Sequence, residues 1–356
     1  MKKIDLTLLV TVVFLTLFGL FMIYDASSYV AFRDFSDKYH YVRDQFVWVI
    51  LGMLGLISFS YFDYHRLYNL SLPMLFIAIV LLILVFVPGI GVYLLGARRW
   101  VDFRIFLLQP AEFVKLALAV YLSAWFSSKE KGRLLAFLML LGLVFFLVIL
   151  QPDMGTAAVI LFEALAIYFL SGSNIFYFAI LLPFIALIGV FLIKISSYRS
   201  QRLEAFLSIN QSIESSSYHV KQILIALGSG GIFGVGIGKS LQKFAYLPEA
   251  TTDSIFAIIA EELGFIGASF IIILFILIVW RGFYIAGMAR DNFGKLLAAG
   301  ITTFLATQTI INLGALTALF PLTGIPLPFI SYGGSALIVD LCAVGILLNI
   351  SKSSSS

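Results

Sequence analysis

The stretch from Leu247 to Gly267 runs from a polar loop into an apolar helix that carries three carboxylates. Asp253 lies where a polar loop meets an apolar helix, and Glu261 and Glu262 follow about two turns later within that helix. The partial positive charge of a helix start favours an ionised carboxylate there. Asp253 is therefore a candidate general base for a hydroxyl group. Helix capping by Asp253 or the threonines before it explains the same pattern without chemistry, and both interpretations fit the spacing.

A second charged pair, Glu112 and Lys115, lies in the first turns of a helix predicted to begin at Gln109 and Pro110. Proline is tolerated in a first turn because its missing N–H has no partner within the helix. Residues at i and i+3 share a helix face, so the two charges can pair. Both a structural ion pair and a substrate-binding site fit this arrangement.

Candidate anion-binding side chains are concentrated in two loops. The stretch Gly91–Arg104 supplies three arginines, including Arg99, beside a tryptophan. The glycine-rich run Gly228–Ser240 ends in GIGKS, but no βαβ pattern surrounds it, which argues against a nucleotide-binding P-loop. Backbone N–H groups together with Lys239 and Lys243 remain candidates for contact with a phosphate. A flexible loop lying on the membrane is the alternative.

The composition indicates a polytopic membrane protein. Hydrophobic residues make up 61% of the 356 positions and charged residues 12%, and the mean hydropathy is +1.06. The net charge of +4 is scattered through loops, which suits membrane topology and does not predict nucleic-acid binding. Cys342 is the one cysteine, so an intrachain disulfide is excluded.

The hydropathy pattern predicts an all-α polytopic membrane protein with ten transmembrane helices, because a bilayer core needs about 20 apolar residues per helix. The predicted helices are at about 5–27, 46–61, 67–87, 108–126, 134–150, 154–171, 175–195, 254–281, 295–318 and 329–350. They form a single bundle over residues 1–350, with a long outer loop at about 196–253 between helices 7 and 8. Residues 351–356 are predicted to be a disordered tail. Phe320–Ser335, with three prolines and three glycines, is predicted to be a broken or re-entrant segment.

The distribution of lysine and arginine predicts the orientation. An even number of spans places both termini on one side of the membrane. One side carries ten cations in its termini and short loops, namely Lys2, Lys3, Arg66, Lys129, Lys131, Arg133, Arg281, Arg290, Lys295 and Lys352. The other side carries six, namely Arg33, Lys38, Arg43, Arg98, Arg99 and Arg104. The first side is therefore predicted to be cytoplasmic.

Three classes of function fit this chemistry. The first is an enzyme that acts on a lipid-linked substrate at the outer leaflet. The second is a transporter or flippase whose intramembrane charges line the transport path. The third is a scaffold whose charges are structural. Glu163, Asp340 and the Glu112–Lys115 pair are the charges that a transport path would use. Transporters usually bind their substrates near the midplane of the bilayer and contain inverted repeats. No clear repeat is visible in this sequence. The concentration of polar residues on the outer face favours the enzyme.

Five strings of residues resemble one protein family. They are ARRWV at Ala97–Val101, QPAEFVKLAL at Gln109–Leu118, QPDMGTA at Gln151–Ala157, GSGGIFGVGIGKSLQKFAYLPEATTDSIFAIIAEELGFIG at Gly228–Gly267 and PLTGIPLPFISYGGSAL at Pro321–Leu337. These strings closely resemble the SEDS family (shape, elongation, division and sporulation), which contains the bacterial RodA and FtsW proteins. The short termini look more like RodA, which implies a role in cell elongation and rod shape.

The resemblance implies a ten-helix peptidoglycan glycosyltransferase of the bacterial cytoplasmic membrane, with both termini cytoplasmic. Such an enzyme polymerises lipid II outside the membrane together with a class B penicillin-binding protein, and no organic cofactor is implied. The family's essential acid falls on Asp253, and its paired acid and lysine fall on Glu112 and Lys115. The chain departs from the family at Thr251, where many relatives have histidine, and at Ser254, where phenylalanine is usual.

The implied reaction joins the 4-hydroxyl of an acceptor GlcNAc to the anomeric carbon of a donor MurNAc, with inversion and loss of undecaprenyl pyrophosphate. Inversion needs a base on the acceptor side and charge stabilisation on the leaving side. Asp253 is the predicted base. The predicted partners of the pyrophosphate are Arg99, Lys115, Lys239 or Lys243, alone or with a divalent cation such as Mg²⁺ or Mn²⁺.

Overall fold

The computed structural model describes residues 4–94, 96–104, 106–128, 134–173, 197–207, 215–244 and 246–354, together with positions 176–177, 181, 183, 187, 189–191 and 194. Within these residues the helices are α1 (Leu6–Phe35), α2 (His40–Tyr61), α3 (His65–Leu84), α4 (Pro110–Ser127), α5 (Leu134–Leu150), α6 (Met154–Leu170), α7 (Ser197–Leu207), α8 (Ser215–Ser229), α9 (Ile255–Met288), α10 (Asn292–Leu316) and α11 (Gly334–Ser354). Nine of these helices match nine of the ten predicted spans. The remaining predicted span, 175–195, lies largely outside the described residues.

Six of the described helices are long and apolar enough to cross a bilayer: α1, α2, α3, α9, α10 and α11. The helices α5 and α6 are also apolar but have 17 residues each. Large apolar side chains such as Phe76 and Phe265 are exposed on these helices, as expected for surfaces that face lipid. The chain is a polytopic helical membrane protein, as its composition predicted.

The interior of the bundle is built around α4, α10 and α11. The helix α11 packs along α2, α10 packs against α9, and α4 lies between α3, α6 and α10. Small and branched apolar side chains fill these contacts, and α10 and α11 are the most buried of the six long spans. Glu112 and Lys115 on α4 and Asp340 on α11 are therefore enclosed by protein rather than by lipid.

Both ends of the described chain meet at the same end of the bundle. The backbone N–H of Asp5 donates to Ser351 Oγ (3.2 Å), and Arg281 binds the Asp5 carboxylate (2.5 Å). Because α9 runs from the residue after Ser254 to Met288, Asp253 lies at the opposite end of this helix from Arg281. The termini and Asp253 are thus on opposite sides of the bundle.

The predicted disordered tail is wrong for residues 351–354. The helix α11 continues to Ser354, whereas 355 and 356 lie outside the described residues. The Lys352 ammonium donates to the carbonyl of Ser60 (2.8 Å), and Asn349 donates to the same carbonyl (2.9 Å). These contacts with the end of α2 hold the last helical turn, and a polar sequence alone does not reveal them.

A small sheet lies between α3 and α4, where the sequence predicted a loop. The strands β1 (Gly91–Leu94), β2 (Ala97–Asp102) and β3 (Leu107–Leu108) form an antiparallel sheet in the order β1-β2-β3. Gly96 has φ +79°, which suits the tight connection between β1 and β2. Strands this short carry too little alternation of apolar and polar residues to be predicted next to long apolar helices.

The helix α9 is interrupted at Gly264, where φ is +67° and ψ is −168°. The interruption frees the carbonyls of Glu261 and Glu262, which accept from the N–H groups of Val235 and Gly236 at 3.0 Å each. A Cβ at Gly264 would lie 2.2 Å from the backbone nitrogen of Gly234, so only glycine fits. The glycine-rich run therefore satisfies backbone groups at a helix break, which is required at membrane depth.

Candidate active site

Asp253 stands directly before α9 and is buried, with 7% of its surface exposed. The N-cap residue of α9 is Ser254, and no side-chain capping bond forms there. The capping explanation of Asp253 therefore loses its support. The residues between α10 and α11, 317–333, form an irregular segment. A Cβ at Gly324 would lie 3.9 Å from Asp253 Oδ2, so the carboxylate lies against this segment.

Two charged side chains act on the Asp253 carboxyl. Burial is the largest effect and raises its pKa well above the ordinary range, and the charge of the nearby Glu249 raises it further. Arg202 on α7 opposes this shift because its positive charge favours the ionised carboxylate. Asp253 is thus a buried carboxyl with a raised pKa, and Arg202 is the cation that acts on it.

Arg202, His219 and Glu249 are the site residues that the sequence did not single out. The Arg202 guanidinium donates to the carbonyl of Leu322 (2.8 Å), which ties α7 to the irregular segment. His219 on α8 shares a hydrogen bond with Ser254 Oγ (2.9 Å), and burial lowers the pKa of its imidazole. All three come from the predicted polar loop at 196–253. Their place in this loop was the one feature of the sequence that could have identified them as site residues. Their approach to Asp253 depends on how the loop folds.

An apolar cavity of about 500 Å³ lies beside this site. Its walls come from α6, α10 and the irregular segment, with Met154, Phe162, Ile310 and Leu322 among the lining residues. Arg202 also lines the cavity. The same cation therefore borders an apolar space and acts on the Asp253 carboxyl.

The Glu112–Lys115 pair is enclosed in the bundle. The Lys115 ammonium is 2.7 Å from Glu112 Oε2, and each residue is 1% exposed. The same ammonium donates to Gln308 Oε1 on α10 at 2.5 Å. Both charges are therefore enclosed by protein groups. The structure shows Glu112 and Lys115 as a buried ion pair tied to α10, and their role in substrate binding stays a prediction.

Two further carboxyls surround this lysine. Glu163 on α6 and Asp340 on α11 are both fully buried, and their carboxyl oxygens have no hydrogen-bond partner among the described residues. Each interacts electrostatically with Lys115. Three acidic side chains from α4, α6 and α11 thus surround one lysine, and an ionised buried carboxyl without a partner is costly.

Lys243 pairs with two protein carboxylates, and its contact with pyrophosphate stays a prediction. Its ammonium binds Asp25 on α1 (3.0 Å) and Glu262 on α9 (3.1 Å), and the residue is 5% exposed. Glu261 accepts from Ser240 Oγ, and the glycine-rich loop is thereby held on α9. The two glutamates in α9 thus have a structural explanation.

Lys239 and Arg99 have different surroundings. The Lys239 side chain is exposed on the glycine-rich loop. The Arg99 guanidinium donates to the carbonyls of Gln151 (3.1 Å) and Pro152 (2.5 Å), just before α6. Because Pro152 lines the apolar cavity, Arg99 supports the cavity wall. Neither cation is among the groups that act on Asp253, whereas Arg202 is.

Comparisons with known proteins agree over almost the whole chain. The family model described as "Cell cycle protein", which covers the FtsW, RodA and SpoVE proteins, matches residues 6–356. A probable peptidoglycan glycosyltransferase FtsW of Trichlorobacter lovleyi is 39% identical over 362 residues, covering 99% of this chain and 94% of that protein. The stage V sporulation protein E of Bacillus subtilis is 40% identical over 358 residues, covering 98% and 97%.

Solved structures show the same fold. A chain from work on the structural coordination of polymerization and crosslinking by a peptidoglycan synthase complex has a TM-score of 0.82 and 25% identity, with 99% of each chain covered. The rod shape determining protein RodA of Thermus thermophilus has a TM-score of 0.73 and 26% identity, covering 99% of this chain and 98% of that one. By family match, identity and coverage, the chain belongs to the FtsW/RodA/SpoVE family, the SEDS proteins.

Proposed function

We propose that this protein is a peptidoglycan glycosyltransferase that polymerises lipid II at the outer face of the bacterial cytoplasmic membrane. The names of its relatives support the activity. The observation that carries the proposal is the buried Asp253 carboxylate beside Arg202 and an apolar cavity. A lipid-linked sugar needs a base, a cation for its phosphates and an apolar surface, and all three meet here.

In the proposed reaction, Asp253 accepts the proton of the acceptor 4-hydroxyl as that oxygen attacks the anomeric carbon of the donor. The bond from this carbon to the pyrophosphate oxygen breaks, and the configuration is inverted. Arg202 stabilises the negative charge on the departing pyrophosphate. It takes the place of Arg99, Lys115, Lys239 and Lys243, the cations predicted from the sequence.

The pH dependence of polymerisation tests the base. Asp253 must be ionised to accept a proton, and its pKa is raised by burial and by Glu249. Activity is therefore expected to fall with decreasing pH at values above the ordinary titration range of aspartate. Removing the charge in Glu249→Gln lowers the pKa of Asp253, so the acidic limb should move to lower pH. The rate of lipid II consumption, measured across pH, gives the acidic limb of the pH–rate profile for the wild-type protein and for Glu249→Gln. The same acidic limb in both proteins would contradict Asp253 as the base.

A divalent cation such as Mg²⁺ or Mn²⁺ that arrives with the substrate phosphates is a further part of the proposal. Among the described residues, no group of three or more His, Cys, Asp or Glu side chains could hold a metal ion, so the substrate phosphates would supply most of its ligands. When bound, the cation neutralises pyrophosphate charge. We expect EDTA to suppress polymerisation and added Mg²⁺ or Mn²⁺ to restore it. Full activity after exhaustive chelation would exclude the cation.

The orientation and the partner form part of the proposal. The excess of lysine and arginine at the end opposite Asp253 supports cytoplasmic termini. A class B penicillin-binding protein is the proposed partner, because one solved relative comes from a synthase complex that couples polymerization to crosslinking. Incubating the purified protein with lipid II, with and without this partner, and measuring glycan length on gels tests the activity and the partnership.

The predicted role in cell elongation has weaker support than the activity. The two relatives compared above at 39% and 40% identity are named FtsW and stage V sporulation protein E. The RodA chain of known structure is 26% identical. Complementation of strains depleted of either RodA or FtsW separates the alternatives, because recovery of rod shape and recovery of division are different phenotypes.

A lipid II flippase is the second candidate function. The three buried carboxyls around Lys115 favour it, since intramembrane charges are typical of transport paths. Reconstituted protein that moves lipid II across a bilayer without elongating glycan would support the flippase. Elongation without translocation would support the glycosyltransferase.

A further inference from the structure

Two buried amides on α10 connect the intramembrane ion pair to the irregular segment after this helix. Gln308 and Asn312 are four residues apart and therefore share a helix face. Gln308 Oε1 accepts from the Lys115 ammonium (2.5 Å), and its Nε2 donates to the carbonyl of Pro326 (3.0 Å). Gln308 is fully buried. The amide oxygen of Gln308 is thus bound to the Lys115 ammonium, and its amide nitrogen is bound to the backbone of the irregular segment.

Asn312 makes the corresponding contact one turn later. Its Nδ2 donates to the carbonyl of Asp253 and to the carbonyl of Ile325, at 2.8 Å each. Asn312 is 2% exposed, so it is out of reach of a substrate. A single amide therefore fastens the residue that carries the proposed base to the irregular segment.

The same two pieces of backbone are joined at other points. Ser331 Oγ donates to the carbonyl of Thr252 (2.5 Å), and the N–H of Tyr332 donates to the carbonyl of Thr251 (2.9 Å). Irregular backbone inside a bundle must be paired by protein groups, because neither lipid nor bulk water can do so. The backbone around Asp253 is thus held by groups from α10 and from the irregular segment, which lie outside α9.

We propose that Asn312 and Gln308 are positioning residues for glycosyl transfer, which hold Asp253 and the irregular segment against the Glu112–Lys115 pair. This inference rests on the proposed function. Neither amide touches the reacting atoms. The buried ion pair acts through them, because Lys115 fixes Gln308, Gln308 fixes Pro326, and Asn312 fixes both Ile325 and Asp253. A displacement of about 1 Å at a reacting group can cost 100-fold in rate, so such anchoring has a kinetic effect.

The test is Asn312→Leu, which keeps the side-chain size and removes both donated hydrogen bonds. The kcat for lipid II polymerisation is expected to fall about 10- to 100-fold. The KM is expected to change by less than about twofold, because an interaction that acts on the base affects the chemical step rather than ground-state binding. The matched control is Thr309→Val on the same helix. Within the described residues, Thr309 Oγ1 donates to the carbonyl of Leu305 in its own helix and forms no hydrogen bond with Asp253 or the irregular segment.

A second measurement separates positioning from plain stability. Loosening Asp253 lets water reach the carboxyl, so the acidic limb of the pH profile should move to lower pH in Asn312→Leu. The other titratable or charged groups around Asp253 are Glu249 and Arg202, together with His219, which is hydrogen-bonded to the adjacent Ser254. All three are unchanged in this variant. Gln308→Met is expected to show the same direction with a smaller loss, because it leaves the contact between Asn312 and Asp253 in place.

Each outcome decides the proposal. A lower melting temperature with wild-type kcat and an unmoved acidic limb would show that the amides are only structural, and an equal loss of kcat in Thr309→Val would also overturn the proposal. If Asn312→Leu does not fold, Gln308→Met carries the same two measurements. Substantial polymerisation by Asp253→Asn would instead refute the proposed base, so the failure of the proposed function and the failure of this inference remain distinguishable.

Discussion

Asp253→Asn is expected to abolish polymerisation of lipid II while the protein folds and inserts normally. The substitution keeps the shape of the side chain and removes its ability to accept a proton. A positioned general base contributes about 10²- to 10⁴-fold to a rate, so the rate of glycan formation should fall at least about 100-fold. Folding should be preserved because Ser254 is the N-cap of α9 and because a buried carboxylate carries a desolvation cost. Gel analysis of glycan length and thermal melting of the purified protein measure the two effects.

Asp25→Asn is the matched control for this substitution. Asp25 is another aspartate, and it pairs with Lys243, which also binds Glu262. Removing this carboxylate leaves Lys243 with one partner, so polymerisation is expected to persist. If Asp253→Asn kept substantial polymerisation, the base assignment would be wrong. If Asp25→Asn lost activity as completely, the cluster around Lys243 would belong to the active site.

Lys115→Met is expected to cause the largest loss of stability. Removing one partner of a buried ion pair typically costs about 3–5 kcal/mol, because the other charge stays buried without compensation. Here the loss affects Glu112 directly, and Glu163 and Asp340 lose the cation that faces them. The melting temperature in detergent should fall clearly, and polymerisation should fall with it because Gln308 loses its charged partner.

The double variant Glu112→Gln with Lys115→Met separates charge from packing. Replacing both members of a buried pair by neutral groups of similar volume is often neutral for stability, so the double variant should melt higher than Lys115→Met alone. The single variant Glu112→Gln is expected to lower both activity and stability. Wild-type melting of Lys115→Met would show that the pair is dispensable for the fold.

Local features of the sequence determined much of the architecture. Apolar runs of about 20 residues predict membrane helices without knowledge of neighbours, because the bilayer thickness sets their length. The start of α4 at Gln109 and Pro110 followed from the same kind of local rule. The broken segment after α10 was likewise visible in its prolines and glycines. The candidacy of Asp253 came from its place at the join between a polar loop and an apolar helix.

Contacts between distant parts of the chain decided the roles of the charged residues. Lys243 and Asp25 are separated by 218 positions, and their ion pair cannot be read from the sequence around either residue. Arg202 acts on Asp253 only because the loop helices fold back over the start of α9. Which charges meet depends on how helices pack and how loops fold, and neither is encoded in the spacing of residues along one helix. The sequence therefore determined which groups were available for chemistry, and the tertiary structure decided which of them lie together.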